Sequence, residues 1–111
     1  MKTYCLALDL KDDSELIAEY LHYHQPEGIW PEVAEQIKKD GVLSEQIYKI
    51  GTRMVMVLNT TDDFSFEAKS ASNKASPVMQ QWEALMDKYQ QKLPEAGPGD
   101  KWVLMEKIFE I

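Results

Sequence analysis

Two strand-like segments joined by a two-residue turn constrain the fold of this 111-residue chain more than any other feature. Residues 42–50 and 53–59 are both predicted as β-strands, and Gly51-Thr52 between them is short enough only for a hairpin. A third strand is predicted from Tyr4 to Leu10, where the sequence alternates and is rich in apolar residues. An antiparallel sheet is therefore predicted at the centre of the fold.

The first strand is followed by a predicted amphipathic helix. Asp12 or Asp13 is suited to cap its N-terminus, and Asp12 with Glu15 three residues later forms an approximate capping box. Apolar and aromatic residues then recur at helical spacing as far as His24. Proline removes a helical hydrogen bond and glycine favours turns, so Pro26 and Gly28 are predicted to interrupt the helix.

Three more helices are predicted. Pro31 suits the first turn of a helix that runs to Asp40 and stops at Gly41. Thr61 is predicted to cap another helix, because the acidic pair at 62–63 suits a helix N-terminus. A last helix is predicted to begin at Ser76-Pro77. Its core-facing stripe has helical spacing and consists of Val78, Trp82, Leu85, Met86 and Tyr89.

The C-terminal segment completes the order of elements. After a loop rich in proline and glycine at 93–100, residues 101–111 alternate as a last strand. The order is then β-α-β-β-α-β, the ferredoxin-like α+β pattern, in one domain spanning 1–111, with an antiparallel sheet and its helices on one face. The last strand is apolar on both sides, so a second copy is predicted to cover the other face as a homodimeric α/β barrel. The two sides carry Trp102, Leu104 and Ile108, and Val103, Met105, Phe109 and Ile111.

Charge and cysteine content restrict the function classes. The net charge of -7 opposes binding to nucleic acid or to an anionic membrane, since both repel a negative chain. No apolar run approaches the roughly 20 residues that span a bilayer, and the N-terminus lacks the long apolar region of a signal peptide. The single cysteine, Cys5, excludes an intrachain disulfide and fits a reducing compartment. We therefore expect a cytoplasmic protein, with Cys5 buried in a strand.

Tyr20 and His24 are the candidate chemical residues at the end of the first helix. They are four residues apart and share a face with Ile17, which turns that face inward. His22 lies about 200° around the helix from His24 and is predicted on the outer face. A histidine beside a phenol is able to transfer protons near neutral pH. The same positions also suit a histidine favoured by the helix dipole and a packing tyrosine.

Three carboxylates and a tryptophan complete the candidate binding residues. Glu45 lies in the second strand, Glu83 follows Trp82, and Glu106 alternates with apolar residues, which predicts that it faces inward. A buried carboxylate needs a partner, so Glu106 is either a base or hydroxyl acceptor, or a salt-bridged or exposed residue. Trp82 is either a core aromatic or a platform for a sugar ring. No metal site is predicted, because no His-x-x-x-His or cysteine cluster is present.

Several short motifs together resemble the L-rhamnose mutarotase family over nearly the whole chain. They are Tyr20-x-x-x-His24, Ile29-Trp30-Pro31-Glu32, Gln81-Trp82 leading to Met86, and Glu106 near the C-terminus. The resemblance implies a homodimeric barrel that interconverts the α and β anomers of a free monosaccharide without a cofactor. By motif, it also implies that His24 is a proton donor, that Tyr20 contacts the substrate, and that Trp82 packs against the sugar.

The chain departs from that family pattern at three places. Residues 25–28, Gln-Pro-Glu-Gly, form a longer link than the Asn-Pro of the rhamnose enzymes. Glu83 replaces the second tryptophan of a pair, and Glu45 stands where a tyrosine is expected. Because carboxylates accept hydrogen bonds from sugar hydroxyls, the candidate substrates are L-rhamnose and related deoxyhexoses such as L-fucose.

The leading prediction is therefore a sugar mutarotase, an isomerase that opens the hemiacetal ring by acid–base catalysis. Two other function classes suit the same predicted fold. One is a cofactor-free monooxygenase acting on an aromatic substrate, although several carboxylates suit a polyol better. The other is a dimeric module that binds a small ligand without catalysis.

Overall fold

The secondary structure follows the predicted order of elements. The computed structural model describes all residues from 1 to 111. In chain order the elements are β1 (Lys2–Leu10), α1 (Ser14–Tyr23), α2 (Pro31–Lys39), β2 (Val42–Ile50), β3 (Arg53–Thr60), α3 (Phe66–Ala75), α4 (Pro77–Asp87), β4 (Gln90–Gln91) and β5 (Val103–Leu104). The β-α-β-β-α-β order, with a broken helix in each half, is confirmed. None of the helices has the length and hydropathy needed to cross a membrane.

All strands belong to one antiparallel sheet, as predicted. The order is β2-β3-β1-β4, and β5 also pairs with β1. β1 and β3 are in register from Lys2 opposite Thr60 to Asp9 opposite Arg53. Gly51 has a φ of 58° in the turn between β2 and β3, a conformation that glycine adopts without strain. The short strands β4 and β5 pair with the edge of β1 that β3 leaves free. The chain therefore returns to β1 after α4.

The helices cover one face of the sheet. Alternate residues of β1 point to that face, and Leu8 and Leu10 pack there with Met54 of β3. The helices supply most of the rest of this core, and Tyr89 follows α4; the helical members are Tyr20, Val33, Met79, Trp82 and Met86. The other face of the sheet carries exposed Tyr48 and Ile50 beside half-buried Val55 and Val57. Cys5 lies on that second face and is half-buried, not buried as predicted.

Local sequence signals set where the first two helices begin. Asp13 caps α1, because its Oδ1 accepts hydrogen bonds from the backbone N–H groups of Glu15 and Leu16, both at 3.0 Å. Of the two predicted cap residues, Asp13 is therefore the one that acts. Trp30 is extended, as expected of a residue before proline, and Pro31 stands in the first turn of α2.

The predicted start of the third helix is wrong. α3 begins at Phe66, and Ser65 caps it by accepting from the backbone N–H of Ala68 at 3.0 Å. The hydroxyl of Thr61 donates to the carboxylate of Asp63 at 2.6 Å. The intervening turn places Phe64 in a second apolar cluster, so packing overrides the earlier capping signal.

The C-terminal strand is much shorter than predicted. Only Val103 and Leu104 pair with β1, followed by one hydrogen bond from the Met105 N–H to the Cys5 carbonyl at 2.7 Å. Residues 106–111 have no regular secondary structure, and Ile108 is 89% exposed. The alternating pattern favours an extended chain but does not supply a strand for it to pair with. Within one chain no such strand is present.

Candidate functional site

A cavity of about 480 Å³ lies between the helices and the sheet. Its size falls within the range of small-molecule sites, about 300–1,000 Å³. Apolar residues of β1 and β3 form part of its lining, and every helix except α2 contributes polar or aromatic side chains. The cavity brings together five of the six predicted site residues: Tyr20, His24, Glu45, Trp82 and Glu83.

His24 lies at the C-terminal cap of α1 with its ring at the cavity. Its Nδ1 is 2.7 Å from the backbone carbonyl oxygen of Tyr20. A carbonyl only accepts, so Nδ1 carries the proton and Nε2 of the neutral ring is the acceptor. Burial lowers the pKa of His24 below 6.5, and the bond to Tyr20 offsets this only in part. At neutral pH His24 is therefore an uncharged base. His22 is exposed on the other side of the helix.

Tyr20 and Gln90 form a polar pair in the cavity wall. The hydroxyl of Tyr20 accepts a hydrogen bond from Nε2 of Gln90 at 3.2 Å, and the tyrosine is only 2% exposed. Burial raises the pKa of Tyr20 to about 12, so the hydroxyl keeps its proton. The Tyr20 ring also stacks on His24, with ring centroids 4.2 Å apart. Tyr20 thereby fixes the histidine through both its ring and its backbone carbonyl.

Glu45 projects from β2 on the face of the sheet that the helices cover. The side chain of Glu45 is exposed at the open cavity. Partial desolvation by the surrounding protein raises the pKa of Glu45, and the positive charge of Lys69 acts in the opposite direction. The raised pKa makes Glu45 a better proton donor near neutral pH than an ordinary surface carboxylate.

Lys69 and Asn73 of α3 connect Glu83, which lines the cavity, with Asp40 at the end of α2. Lys69 Nζ lies 3.1 Å from Oδ2 of Asp40 and donates to Oδ1 of Asn73 at 2.5 Å. The amide nitrogen of Asn73 in turn donates to Oε1 of Glu83 at 3.3 Å. This network joins α3 to α4 and to the end of α2, and it places a cation near Glu45.

Trp82 is at the centre of an aromatic cluster. Its ring centroid lies 5.2 Å from that of Trp30, 5.9 Å from that of His24 and 6.1 Å from that of Tyr23. It lines the cavity, but only 8% of the residue is exposed. Most of Trp82 therefore packs in the core, and a small part of its surface is available to a ligand.

The link at 25–28 folds as a tight turn against the end of α1. Gly28 donates its N–H to the Gln25 carbonyl at 2.9 Å. A Cβ at position 28 would lie 1.9 Å from the backbone oxygen of His22, so only glycine fits here. The longer link therefore packs against the backbone of the last turn of α1, next to His24.

One predicted site residue lies elsewhere. Glu106 is exposed on the segment after β5 and is not part of the cavity, so the prediction that it faces inward is wrong within one chain. The physical reason is that the strand on which that prediction depended ends at Leu104. No group of three or more histidine, cysteine or acidic residues is close enough to hold a metal ion.

Eight polar residues that line the cavity were not among the predicted site residues: Lys69, Ser70, Asn73, Lys74, Gln80, Gln90, Asp100 and Lys101. Lys69 and Asn73 are four residues apart on α3, a spacing that places them on one helix face and that was visible in the sequence. Gln90 lies in β4, a two-residue strand whose pattern is too short to detect.

Comparison with known proteins identifies the family. The sequence profile of L-rhamnose mutarotases matches residues 3–111. The chain is 39% identical to an L-fucose mutarotase from Xanthomonas campestris pv. campestris over 111 residues, which cover 100% of this chain and 89% of the relative. It is 33% identical to a UPF0734 protein from Dictyostelium discoideum over 114 residues, covering 99% of this chain and 90% of that protein.

Solved structures show the same fold. An L-rhamnose mutarotase from Formosa agariphila superposes with a TM-score of 0.72 at 15% identity, covering 100% of this chain and 99% of the other. The tetracenomycin F2 cyclase of Streptomyces glaucescens, a type II polyketide cyclase, gives a TM-score of 0.65 at 11% identity and covers 100% and 97%. These two likenesses establish the fold alone. The family profile and the identity to the Xanthomonas protein go further: the chain belongs to the L-rhamnose mutarotase family, whose members are carbohydrate isomerases.

Proposed function

We propose that this protein interconverts the α and β anomers of a 6-deoxyhexose, with L-fucose as the preferred sugar and L-rhamnose as the second candidate. The family membership supports the reaction, and the relative named L-fucose mutarotase supports the choice of sugar. The observation that carries the proposal is the cavity with two titratable groups whose pKa values shift in opposite directions. The pKa of His24 is lowered and that of Glu45 is raised.

In this mechanism neutral His24 accepts the proton of the anomeric hydroxyl at Nε2 while protonated Glu45 gives its proton to the ring oxygen. The C1–O5 bond breaks, and an aldehyde and a free C5 hydroxyl result. The aldehyde turns about the C1–C2 bond. On closure the C5 hydroxyl attacks C1 and returns its proton to Glu45, and the imidazolium returns its proton to O1. His24, expected from the sequence to be a proton donor, thus donates in the closing half of the cycle.

The other polar groups of the cavity suit a sugar. Lys69, Asn73, Glu83 and Gln90 supply donors and acceptors around an apolar floor, the combination typical of sites that orient a polyol. Family membership does not favour the cofactor-free monooxygenase or the non-catalytic binding module. An assay of oxygen uptake with quinols is expected to give no signal.

We also propose that the protein is a cytoplasmic homodimer. The sheet face away from the helices exposes Tyr48 and Ile50, and the C-terminal segment exposes Ile108 and Phe109. Exposed apolar side chains on a sheet face and on a terminal segment favour association with a second chain. A single cysteine, which forms no intrachain disulfide, is consistent with a reducing compartment.

The test is anomer exchange measured by saturation-transfer NMR with L-fucose, L-rhamnose and D-glucose. We expect enzyme-dependent exchange of a 6-deoxyhexose and a loss of at least about 100-fold for His24→Ala, because removal of a general base costs that much or more. His22→Ala is the matched control, since His22 is exposed two residues away. Equal losses from the two variants, or no loss from either, would contradict the assignment of His24.

A further inference from the structure

Gln90 has a polar atom without a partner at the cavity. Its side-chain oxygen Oε1 is buried and accepts no hydrogen bond, while its Nε2 donates to the hydroxyl of Tyr20. An amide has a polar atom at each end, and one tyrosine hydroxyl satisfies only one of them. Buried polar groups are almost always paired in folded proteins, so an orphan that belongs to a cavity-lining residue points to a ligand group.

We infer that Gln90 is a specificity-determining residue, and that its amide together with the Tyr20 hydroxyl binds one secondary hydroxyl of the sugar. This inference rests on the proposed function. A sugar hydroxyl is both a donor and an acceptor. Tyr20 offers it an O–H, and Gln90 offers it the carbonyl oxygen that no protein group uses.

The backbone around Gln90 is held in place. Gln90 pairs with Leu10 in the sheet, and the neighbouring carbonyl of Tyr89 accepts from the Lys11 N–H at 2.9 Å. Tyr89 itself is 2% exposed and anchors the strand in the core. The terminal amide turns as one planar unit about a soft torsion, so bringing Oε1 toward a hydroxyl in the cavity draws Nε2 away from Tyr20, and that hydroxyl becomes the new partner of Tyr20.

The pair formed by Gln90 and Tyr20 is suited to recognise whether one sugar hydroxyl is present and how it is oriented. A site built to bind a hydroxyl rejects an analogue that lacks it, because the buried polar groups are then left unpaired. One hydroxyl of the sugar is therefore expected to matter far more than the others, and its effect is expected to depend on Gln90.

The experiment pairs enzyme variants with substrate analogues. Wild type and Gln90→Met are assayed by NMR exchange on the preferred 6-deoxyhexose and on its 2-, 3- and 4-deoxy analogues. For wild type we expect kcat/KM to fall by at least about tenfold for one analogue. For Gln90→Met we expect the parent sugar and that analogue to react at similar rates. Gln91→Met, an exposed position on the same strand, is expected to keep the wild-type difference.

Other outcomes overturn the inference. If Gln90→Met lowers the rate of every sugar by the same factor, the residue is structural, and if it preserves the wild-type difference, Gln90 does not contact the hydroxyl. If Gln90→Met does not fold, equal losses for all three analogues with wild type still refute a single selected hydroxyl. If wild type binds the sugars but does not accelerate anomer exchange, the proposed function fails. Dissociation constants from NMR titration of the same sugars then test the role of Gln90 in the same way. Absence of any sugar binding refutes both.

Discussion

The charge of Lys69 acts directly on the proposed acid of the site. Its ammonium group is held by Asp40 and Asn73, and it lowers the pKa of Glu45 against the upward effect of desolvation. Two opposing influences therefore set the pH at which Glu45 loses its proton. Tyr20, whose own pKa is about 12, stays neutral throughout and does not titrate with Glu45 in the working range.

Lys69→Met is expected to move the limb of the pH–rate profile that Glu45 sets toward higher pH. The proposed step needs protonated Glu45, and removal of the cation raises the pKa of that group further. Glu45 therefore loses its proton at a higher pH in the variant. The limb that His24 sets is expected to stay in place.

The profile is measured by NMR exchange across the pH range. Lys49→Met serves as the control, because Lys49 lies on the same strand as Glu45 but outside the cavity. A profile in which neither limb moves to higher pH in Lys69→Met would show that Glu45 is not the acid.

Single residues of the site differ in how far the sequence could reveal them. Tyr20 and His24 share a helix face by spacing alone, and the structure places both at the cavity. Trp82 was assigned to the core stripe and to the sugar site, and its small exposed fraction fits both. Gln90 gave no signal, because its position is fixed by pairing with a strand 80 residues earlier in the chain.

The helices and strands were more predictable than the contacts between them. Pro31 and the hairpin turn at Gly51 are local signals, and the elements they delimit begin or end where expected. Thr61 and Ser65 are both plausible caps, and only the burial of Phe64 between them selects the second. The prediction of a strand at 101–111 was wrong for a related reason. Strand pairing depends on distant residues, and the alternating pattern carries no information about them.

At the first helix, Asp13→Ala is expected to lower the free energy of unfolding by about 1 kcal/mol, and Asp12→Ala by less than about 0.5 kcal/mol. Asp13 accepts the hydrogen bonds of two backbone N–H groups that have no other partner, whereas Asp12 is an exposed neighbour. Urea unfolding followed by tryptophan fluorescence measures both values. Equal losses would mean that a general charge effect, and not the cap, stabilises α1.

The molecule as a whole leaves one side of its sheet without a covering layer. The helices lie on the face of Leu8 and Met54, and the opposite face combines half-buried Val55 and Val57 with exposed Tyr48. A sheet with both faces rich in apolar residues is normally covered on both sides. Residues 106–111, which find no strand in their own chain, are available to pair with or pack on a partner.

This chain is therefore expected to form a dimer in solution, with twice its own mass of 12.8 kDa. Ile108 and Phe109 are 89% and 76% exposed in one chain, so burial against a partner is the expected source of their stabilising contacts. Charges at both positions, Ile108→Asp with Phe109→Asp, are expected to shift the mass measured by light scattering toward the monomer. Lys107→Ala is the control, because its side chain pairs only with Glu110 on the same exposed segment. A wild-type protein that remains monomeric at every concentration would contradict the proposed dimer. A doubly charged variant that remains dimeric would show that Ile108 and Phe109 do not form the dimer interface.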